Sequence, residues 1–320
     1  MGPPVLVAPD AFKGTLRASE VAAAIGRGLE RAGLEPPDLC PIADGGEGTM
    51  DVLLTALGGE TAAADVTDPL GRPVTAGYAL IEDGGTAILE VAGASGLAMG
   101  EGRAEEASTR GTGELICAAV AAGAEVVLVA AGGSATTDGG AGAIAAIEEA
   151  GGLHGARLVV LCDVRTPFEE AAERFGPQKG ADPAAVERLT QRLLAMGVPR
   201  GVPMTGAAGG LSGGLWHTFG AVLEPGAPFV LDALGFDARM RAARAVVTGE
   251  GRIDRTTLEG KAAGEVAVRA RQAGVPAHAI VGANALDRFD QRILDLQTIR
   301  EAGTLTAIEA AARALVEDGL

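Results

Sequence analysis

The chain has 320 residues, 48% of them apolar and only 3% aromatic, with a formal net charge of −16. The length favours two domains, and the core must be built mainly of Ala, Val, Leu and Ile. The charge argues against nucleic acid and anionic membranes as partners, because both need a cationic face. No apolar run approaches the roughly 20 residues of a membrane span. The N-terminus, MGPPVLVAPD, lacks the basic and long apolar regions of a signal peptide. Cys40, Cys117 and Cys162 are odd in number and far apart, which fits buried thiols in a reducing cytoplasm. His154, His217 and His278 are scattered, and without HxxxH or CxxC spacing a zinc site is not expected.

Val5 to Ala8 reads as a short buried strand with Asp10 at its end. The loop Ala11 to Thr15 leads to a helix over Ser19 to Ala32, with Ser19 as its expected N-cap and Gly33 ending it. Leu39 to Ala43 reads as a second strand, running into Asp44-Gly-Gly-Glu-Gly48 and a helix over Thr49 to Leu57. Asp65 to Gly71 is turn-rich, and a domain crossing is expected near it. Val74 to Ile81 and Thr86 to Val91 read as antiparallel strands around Asp83-Gly84-Gly85. Ser108 to Gly113 reads as a loop capping a helix over Glu114 to Ala122. Val126 to Ala131 is a buried strand, followed by Gly132 to Gly142 (GGSATTDGGAG) and a helix from Ala143 to Ala150. Leu158 to Cys162 is a strand ending in Asp163. A helix runs from Asp182-Pro183 to about Met196. A second glycine-rich loop, Thr205 to Gly214, precedes Trp216, His217 and Phe219, which fit an ordinary core helix. Ala245 to Thr248 and Ala277 to Val281 are strands around a helix over Gly264 to Ala273, and 303–318 is a closing helix.

Strands alternating with helices imply an α/β fold with a mostly parallel sheet. Asp10, Asp44, Asp138, Asp163, Glu250 and Asp254 all fall at or just past strand C-terminal ends, the edge where open α/β sheets bind ligands. Asp is also a favoured helix cap, so one or two of them have that simpler role. In Gly132 to Gly142, glycines let backbone N–H groups turn toward an anion, and the following helix N-terminus adds partial positive charge. Ser134 and Asp138 add hydrogen bonds and a candidate Mg²⁺ ligand. The pattern suits a phosphorylated ligand; the alternative is a tight turn capped by Asp138. Asp44-Gly-Gly-Glu-Gly48 resembles Asp138-Gly-Gly-Ala-Gly142, one local solution used twice. Arg is used 23 times and Lys three times, and Lys13, Lys179 and Lys261 each adjoin a glycine. A compact ammonium beside open backbone is a common phosphate-binding device. There is no GxxxxGK[ST] loop and no GxSxG elbow, and Gly140-x-Gly142-x-x-Ala145 lies too far past its strand for a dinucleotide fingerprint.

These residues resemble the bacterial glycerate kinases of the glycerate kinase type-1 family, over nearly the whole chain. The resemblance is carried by Asp10-Ala-Phe-Lys-Gly14, Pro41-Ile-Ala-Asp-Gly-Gly-Glu-Gly-Thr49, Gly111-Thr-Gly-Glu-Leu-Ile116 and Gly132-Gly-Ser-Ala-Thr136 with Asp138 to Gly142. Cys162-Asp-Val164, Phe175 to Ala181, Gly206-Ala-Ala-Gly-Gly210 and Thr248-Gly-Glu-Gly-Arg252 with Asp254 complete it, in the family's order. It implies ATP- and Mg²⁺-dependent phosphorylation of D-glycerate, with 2-phosphoglycerate favoured over 3-phosphoglycerate. It also implies two α/β domains with the ligand in the cleft. One is a discontinuous Rossmann- or flavodoxin-like domain over 1–62 and 240–320 with a mostly parallel sheet; the other is inserted over 63–239 with a mixed sheet. On this resemblance the catalytic set is Lys13, Asp44, Glu47 and Asp138. Substrate and phosphate contacts fall to Asp10, Gly45, Gly46, Gly132, Gly133, Ser134, Gly139, Gly140, Lys179, Gly209, Gly210, Glu250, Arg252 and Asp254. Mg²⁺ is expected at Asp138 and Asp163, and the protein as a cytoplasmic monomer or homodimer. A Mg²⁺-dependent phosphohydrolase using the same carboxylates, or a non-catalytic binder of a small anion, is the alternative. Thr137, Arg110 and Thr256 depart from the family's usual Asn, aromatic and Gln, and the stretch between Gly152 and Leu158 is several dozen residues shorter than usual.

Overall fold

A computed structural model describes residues 2–320. The chain forms two compact units, one of residues up to Asp44 together with Ala227–Leu320, the other Gly45–Gly226. In chain order the first strands are β1 (Val5–Pro9), β2 (Asp38–Leu39), β3 (Glu60–Thr67), β4 (Pro73–Ile81), β5 (Thr86–Glu90), β6 (Val126–Ala130) and β7 (Arg157–Cys162). They are followed by β8 (Val222–Pro225), β9 (Ala245–Gly249), β10 (Arg252–Ile253), β11 (Ala277–Val281), β12 (Ala283–Asn284) and β13 (Leu296–Glu301).

The first unit holds a parallel sheet in the order β13-β11-β9-β1-β2. β1, β9 and β11 are buried along their whole length, as expected of parallel strands with helices on both faces. Val5, Val7, Val247 and Ile280 pack against helices Ala18–Arg31 and Leu305–Glu317 on one face. Leu6, Ala8 and Val246 pack on the other against Phe236, Met240 and Val266. From β1 the strand order runs one way to β2 and the other way to β9, β11 and β13, so it reverses between β1 and β9. A ligand crevice opens at the carboxyl ends of the two strands flanking such a reversal. Asp10 and Glu250 are the next residues after those two ends.

The second unit holds a mixed sheet in the order β3-β4-β5-β6-β7-β8. The β3–β4 and β4–β5 pairings are antiparallel and the rest parallel. Its core joins Leu89, Val127, Val129 and Val160 of the strands to Leu115, Ile116, Ile147 and Leu215 of the helices. Helices Arg110–Ala121 and Ala141–Glu149 approach closely, since a Cβ on Gly113 would stand 2.6 Å from Ala143 Cα. Helix Pro183–Ala195 starts as its sequence dictates, with the Asp182 carboxylate accepting from Ala185 N at 2.7 Å, a cap contributing about 1 kcal/mol.

Several expected boundaries move. The first helix is capped at Arg17, not Ser19, and Glu20 reaches back to accept from Arg17 N at 2.9 Å. Leu39 to Ala43 is strand only over Asp38–Leu39, although Cys40 N and Ile42 N still donate to Val7 O and Pro9 O. Residues 65–67 belong to β3, and the turn is confined to Asp68–Gly71, where Gly71 N donates to Asp68 O. The capping loop read at Ser108 to Gly113 is helix from Arg110 onward. Arg110 there pairs with Glu114 at 3.0 Å and Glu149 at 2.6 Å, tying two helices together on the surface. The shortened stretch 150–156 joins the end of helix Ala141–Glu149 to the start of β7, the sheet edge opposite the strands' carboxyl ends.

Gly28 gives a test of this packing. In an open helix, Gly→Ala is favourable by about 1 kcal/mol. Here a Cβ would lie 2.3 Å from Glu309 O and 2.7 Å from Ala312 Cβ in helix Leu305–Glu317. The clash should reverse the sign, and Gly28→Ala should lose about 1–3 kcal/mol in denaturant unfolding. A gain in stability would refute this close helix contact.

Candidate active site

The first unit forms a cavity of about 440 Å³ lined by Asp10, Lys13, Asp44, Glu250, Arg252 and Lys261, among others. Asp10 is fixed by the sheet, its N–H donating to Gly249 O at 2.8 Å and its own Oδ1 accepting from Ala11 N at 2.7 Å. The next residues turn tightly, with Phe12 N donating to Leu16 O and Thr15 Oγ1 to Phe12 O, and Gly14 at φ 79°. That turn presents Lys13, half exposed, whose Nζ donates to Oδ2 of buried Asp44 at 2.7 Å. Burial raises the Asp10 carboxyl well above the usual carboxylate range, and the Asp44 charge adds to it; Lys13 opposes both.

A second ion group closes the other wall. Glu250 is buried, which raises its proton affinity against the pull of Lys261 and a hydrogen bond from Thr257. Thr257 Oγ1 donates to Glu250 Oε1 at 2.8 Å, and Lys261 Nζ lies 3.4 Å from Glu250 Oε2 and 3.7 Å from Asp254 Oδ1. Asp254 mainly caps the following turn, accepting from Thr256 N and Oγ1.

In the second unit, a cavity of about 80 Å³ at the carboxyl ends of β6 and β7 is lined by Gly133, Ser134, Asp163, Lys179 and Gly209, among others. Its volume suits a phosphate group rather than a nucleoside. Lys179 is buried, donating to Ser134 Oγ at 2.9 Å and Thr136 O at 2.5 Å. The two glycine-rich loops meet here backbone on backbone. Gly139 N donates to Gly209 O at 3.1 Å, and a Cβ on Gly209 would stand 1.9 Å from Thr136 O. Gly132 abuts the loop after Asp44 in the same way, its Cβ position 2.6 Å from Gly46 Cα.

The expected residues thus fall into groups. Asp10, Lys13, Asp44, Glu250 and Arg252 share the first cavity; Gly133, Ser134, Asp163, Lys179 and Gly209 share the second. Gly45, Gly46, Gly132, Gly139, Gly140 and Gly210 are buried or close-packed backbone beside the second cavity's loops. Glu47 is exposed on its loop. Asp138 is spent on structure: Oδ2 accepts from Thr109 N, Thr109 Oγ1 and Gly142 N, and Oδ1 from Gly140 N, all at 2.8–3.1 Å. Among the described residues no three His, Cys, Asp or Glu side chains are grouped to hold a metal ion. Lys261, which adjoins a glycine in the sequence, is seated beside Glu250 by a turn that spacing alone does not reveal. Of the three departures from the family pattern, Arg110, Thr137 and Thr256 are absent from the lining of either cavity.

Burial lowers Lys179 from 10.5 to about 8, against the charges of Asp138 and Asp163. Between those values the unfolded chain binds one more proton than the folded one, so folding stability rises with pH across that window. The stability of wild type relative to Lys179→Met should therefore grow from about pH 8 to 10.5. A flat difference would mean that Lys179 keeps an ordinary proton affinity.

The glycerate kinase family model matches residues 5–150 and 148–318. The chain is 39% identical to a glycerate kinase of Bacillus subtilis strain 168 over 328 residues, covering 88% of this chain and 86% of that protein. It is 36% identical to the glycerate 2-kinase of Escherichia coli K12, covering 87% and 84%. The crystal structure of a candidate glycerate kinase 2 from Salmonella typhimurium LT2 superposes with a TM-score of 0.80 at 32% identity, covering 99% of this chain and 98% of that one. The 328-residue alignment is longer than the part of this chain that it covers, so the Bacillus relative carries residues this chain lacks; the two family matches meet at 148–150, beside the shortened stretch. With matches from end to end and a common fold, the chain belongs to the glycerate kinase family.

Proposed function

We propose that this protein transfers the γ-phosphoryl group of ATP to the 2-hydroxyl of D-glycerate. The observation that carries the reading is the Lys13–Asp44 ion pair beside the buried Asp10 carboxyl. Phosphoryl transfer needs a carboxylate near the attacking hydroxyl and fixed positive charge around the transferred group. In this reading the glycerate oxygen attacks phosphorus, the O–P bond forms as the bond to the β-phosphate oxygen breaks, and ADP leaves. The hydroxyl proton passes to Asp10, whose proton affinity burial raises above the usual carboxylate range, as a general base requires. Asp44 holds Lys13 in place, and Arg252 and Lys261 supply further charge for the glycerate carboxylate. Ser134, Lys179 and the loop Gly132–Ser134 receive a phosphate of the nucleotide.

Mg²⁺ enters kinases largely on the nucleotide, using one or two protein carboxylates plus phosphate oxygens. Asp163, at the phosphate-sized cavity, fits as the protein ligand; Asp138, with four donors already on it, does not. When bound, the ion would neutralise charge on the phosphate oxygens.

Purified protein with MgATP should release ADP on addition of D-glycerate, stop on addition of EDTA, and give 2-phosphoglycerate by ³¹P NMR. In the same assay Lys13→Ala should lose about 10²–10³ in kcat/KM, the scale of one preorganised charge contact. Its melting temperature should fall, because buried Asp44 loses the ammonium that pairs with it at 2.7 Å. ADP release that ignores glycerate would overturn the kinase reading in favour of hydrolysis.

A further inference from the structure

Helix Thr49–Leu57 begins without a side-chain cap of its own; Gly48 at its head has φ 94° and no side chain to offer. Its first amides are met from another strand. Oε1 of Glu90, the last residue of β5, accepts from Gly48 N and Met50 N, each at 2.9 Å. The loop so held, Gly45–Gly48, packs against Gly132 through Gly46. Glu90 itself pairs in register with Ala130 of β6, the strand that runs directly into Gly132–Ser134. One carboxylate thus ties the glycine loop to the sheet edge that shapes the phosphate-sized cavity.

We propose that Glu90 is a positioning residue, mooring the loop Gly45–Gly48 against Gly132 so that the cavity at the ends of β6 and β7 keeps the shape that takes a nucleotide phosphate. The proposal rests on the kinase reading for its ligand, and on the hydrogen bonds alone for its mechanics. Burial raises Glu90 from 4.5 to about 7, with Asp51 of the helix and Glu47 of the loop adding to the effect and the two amides opposing it. Below about pH 7 the neutral acid accepts weaker hydrogen bonds than the carboxylate. The mooring therefore tightens as pH rises through that value.

Two variants test it. Glu90→Ala removes the acceptor, and should raise the KM for ATP about 10-fold while leaving the KM for glycerate within about twofold, a loss on the scale of one helix cap. Glu90→Gln keeps a neutral acceptor oxygen, and should hold the KM for ATP near the wild-type value at about pH 6 and between wild type and Glu90→Ala at about pH 8. It should also flatten the fall in that KM that wild type shows as pH rises from about 6 to 8. Hydrogen exchange without ligand, measured at about pH 6, reads the mooring independently of any activity: the Gly48 and Met50 amides should exchange about 10-fold faster in Glu90→Ala and at the wild-type rate in Glu90→Gln. Unchanged exchange in Glu90→Ala, an equal rise in both KM values, or a pH limb that persists in Glu90→Gln would each overturn the proposal. Where Glu90→Ala fails to fold, the pH profile of Glu90→Gln decides. Loss of glycerate-dependent turnover in wild type, with exchange behaving as expected, would remove the ligand and leave the mooring.

Discussion

Two carboxylates, Asp10 and Asp44, are buried at the carboxyl edge of the parallel sheet, and the surrounding structure is arranged to tolerate them. Removing a charge from water is costly unless it is paired and hydrogen-bonded. Asp44 has Lys13 at 2.7 Å; Asp10 has the Ala11 amide and a proton affinity raised by its burial and its neighbour. Both residues are placed there by topology. The strand order reverses between β1 and β9, which opens a crevice at their ends, and the turn after β1 bends back just far enough to bring a lysine to Asp44. Such a pair, with one member shifted far from its usual range, is the arrangement from which acid–base roles are built.

The second unit meets a different constraint. Loop 132–142 meets loop 45–48 at Gly46 and loop 206–214 at Gly209, at distances that no side chain would permit. The glycines serve that approach as much as any direct contact with a ligand. Backbone polar groups brought together so closely need partners, and the buried polar residues supply them: Asp138 ties Thr109 to the head of a helix, Glu90 ties Gly48 and Met50, and Lys179 ties Ser134 to Thr136. Polar groups that would be called catalytic from their sequence position thus divide into those that hold the loops and those that face the cavity.

The sequence made the α/β class, the parallel and mixed sheets and most strand positions legible, because β1 and β6 appear as unbroken apolar runs and β9 and β11 carry one polar residue each, Thr248 and His278, in otherwise small or apolar stretches. Three edge strands were not legible: β3 is mostly polar or alanine and half exposed, β8 has only four residues, and β13 mixes polar and apolar residues along its length. Of the site, the lysines stood out by their rarity, and all three line the two cavities. The motif position of Asp138 does not reveal that four donors converge on its carboxylate. The role of Glu90 is hidden in the sequence for a different reason. It lies at the end of an ordinary strand, and its partners are more than 40 positions away in one case and 40 in the other, so only the fold brings them together.

The most direct test concerns Asp10. The pH–rate profile of Asp10→Asn should be measured beside wild type, with D-glycerate affinity determined separately. The expected result is a loss of about 10²–10⁴ in kcat, disappearance of the acidic limb of the profile, and glycerate binding within a few-fold of wild type. A variant that turns over at a near-normal rate with the limb intact would contradict the role of the buried carboxylate pair.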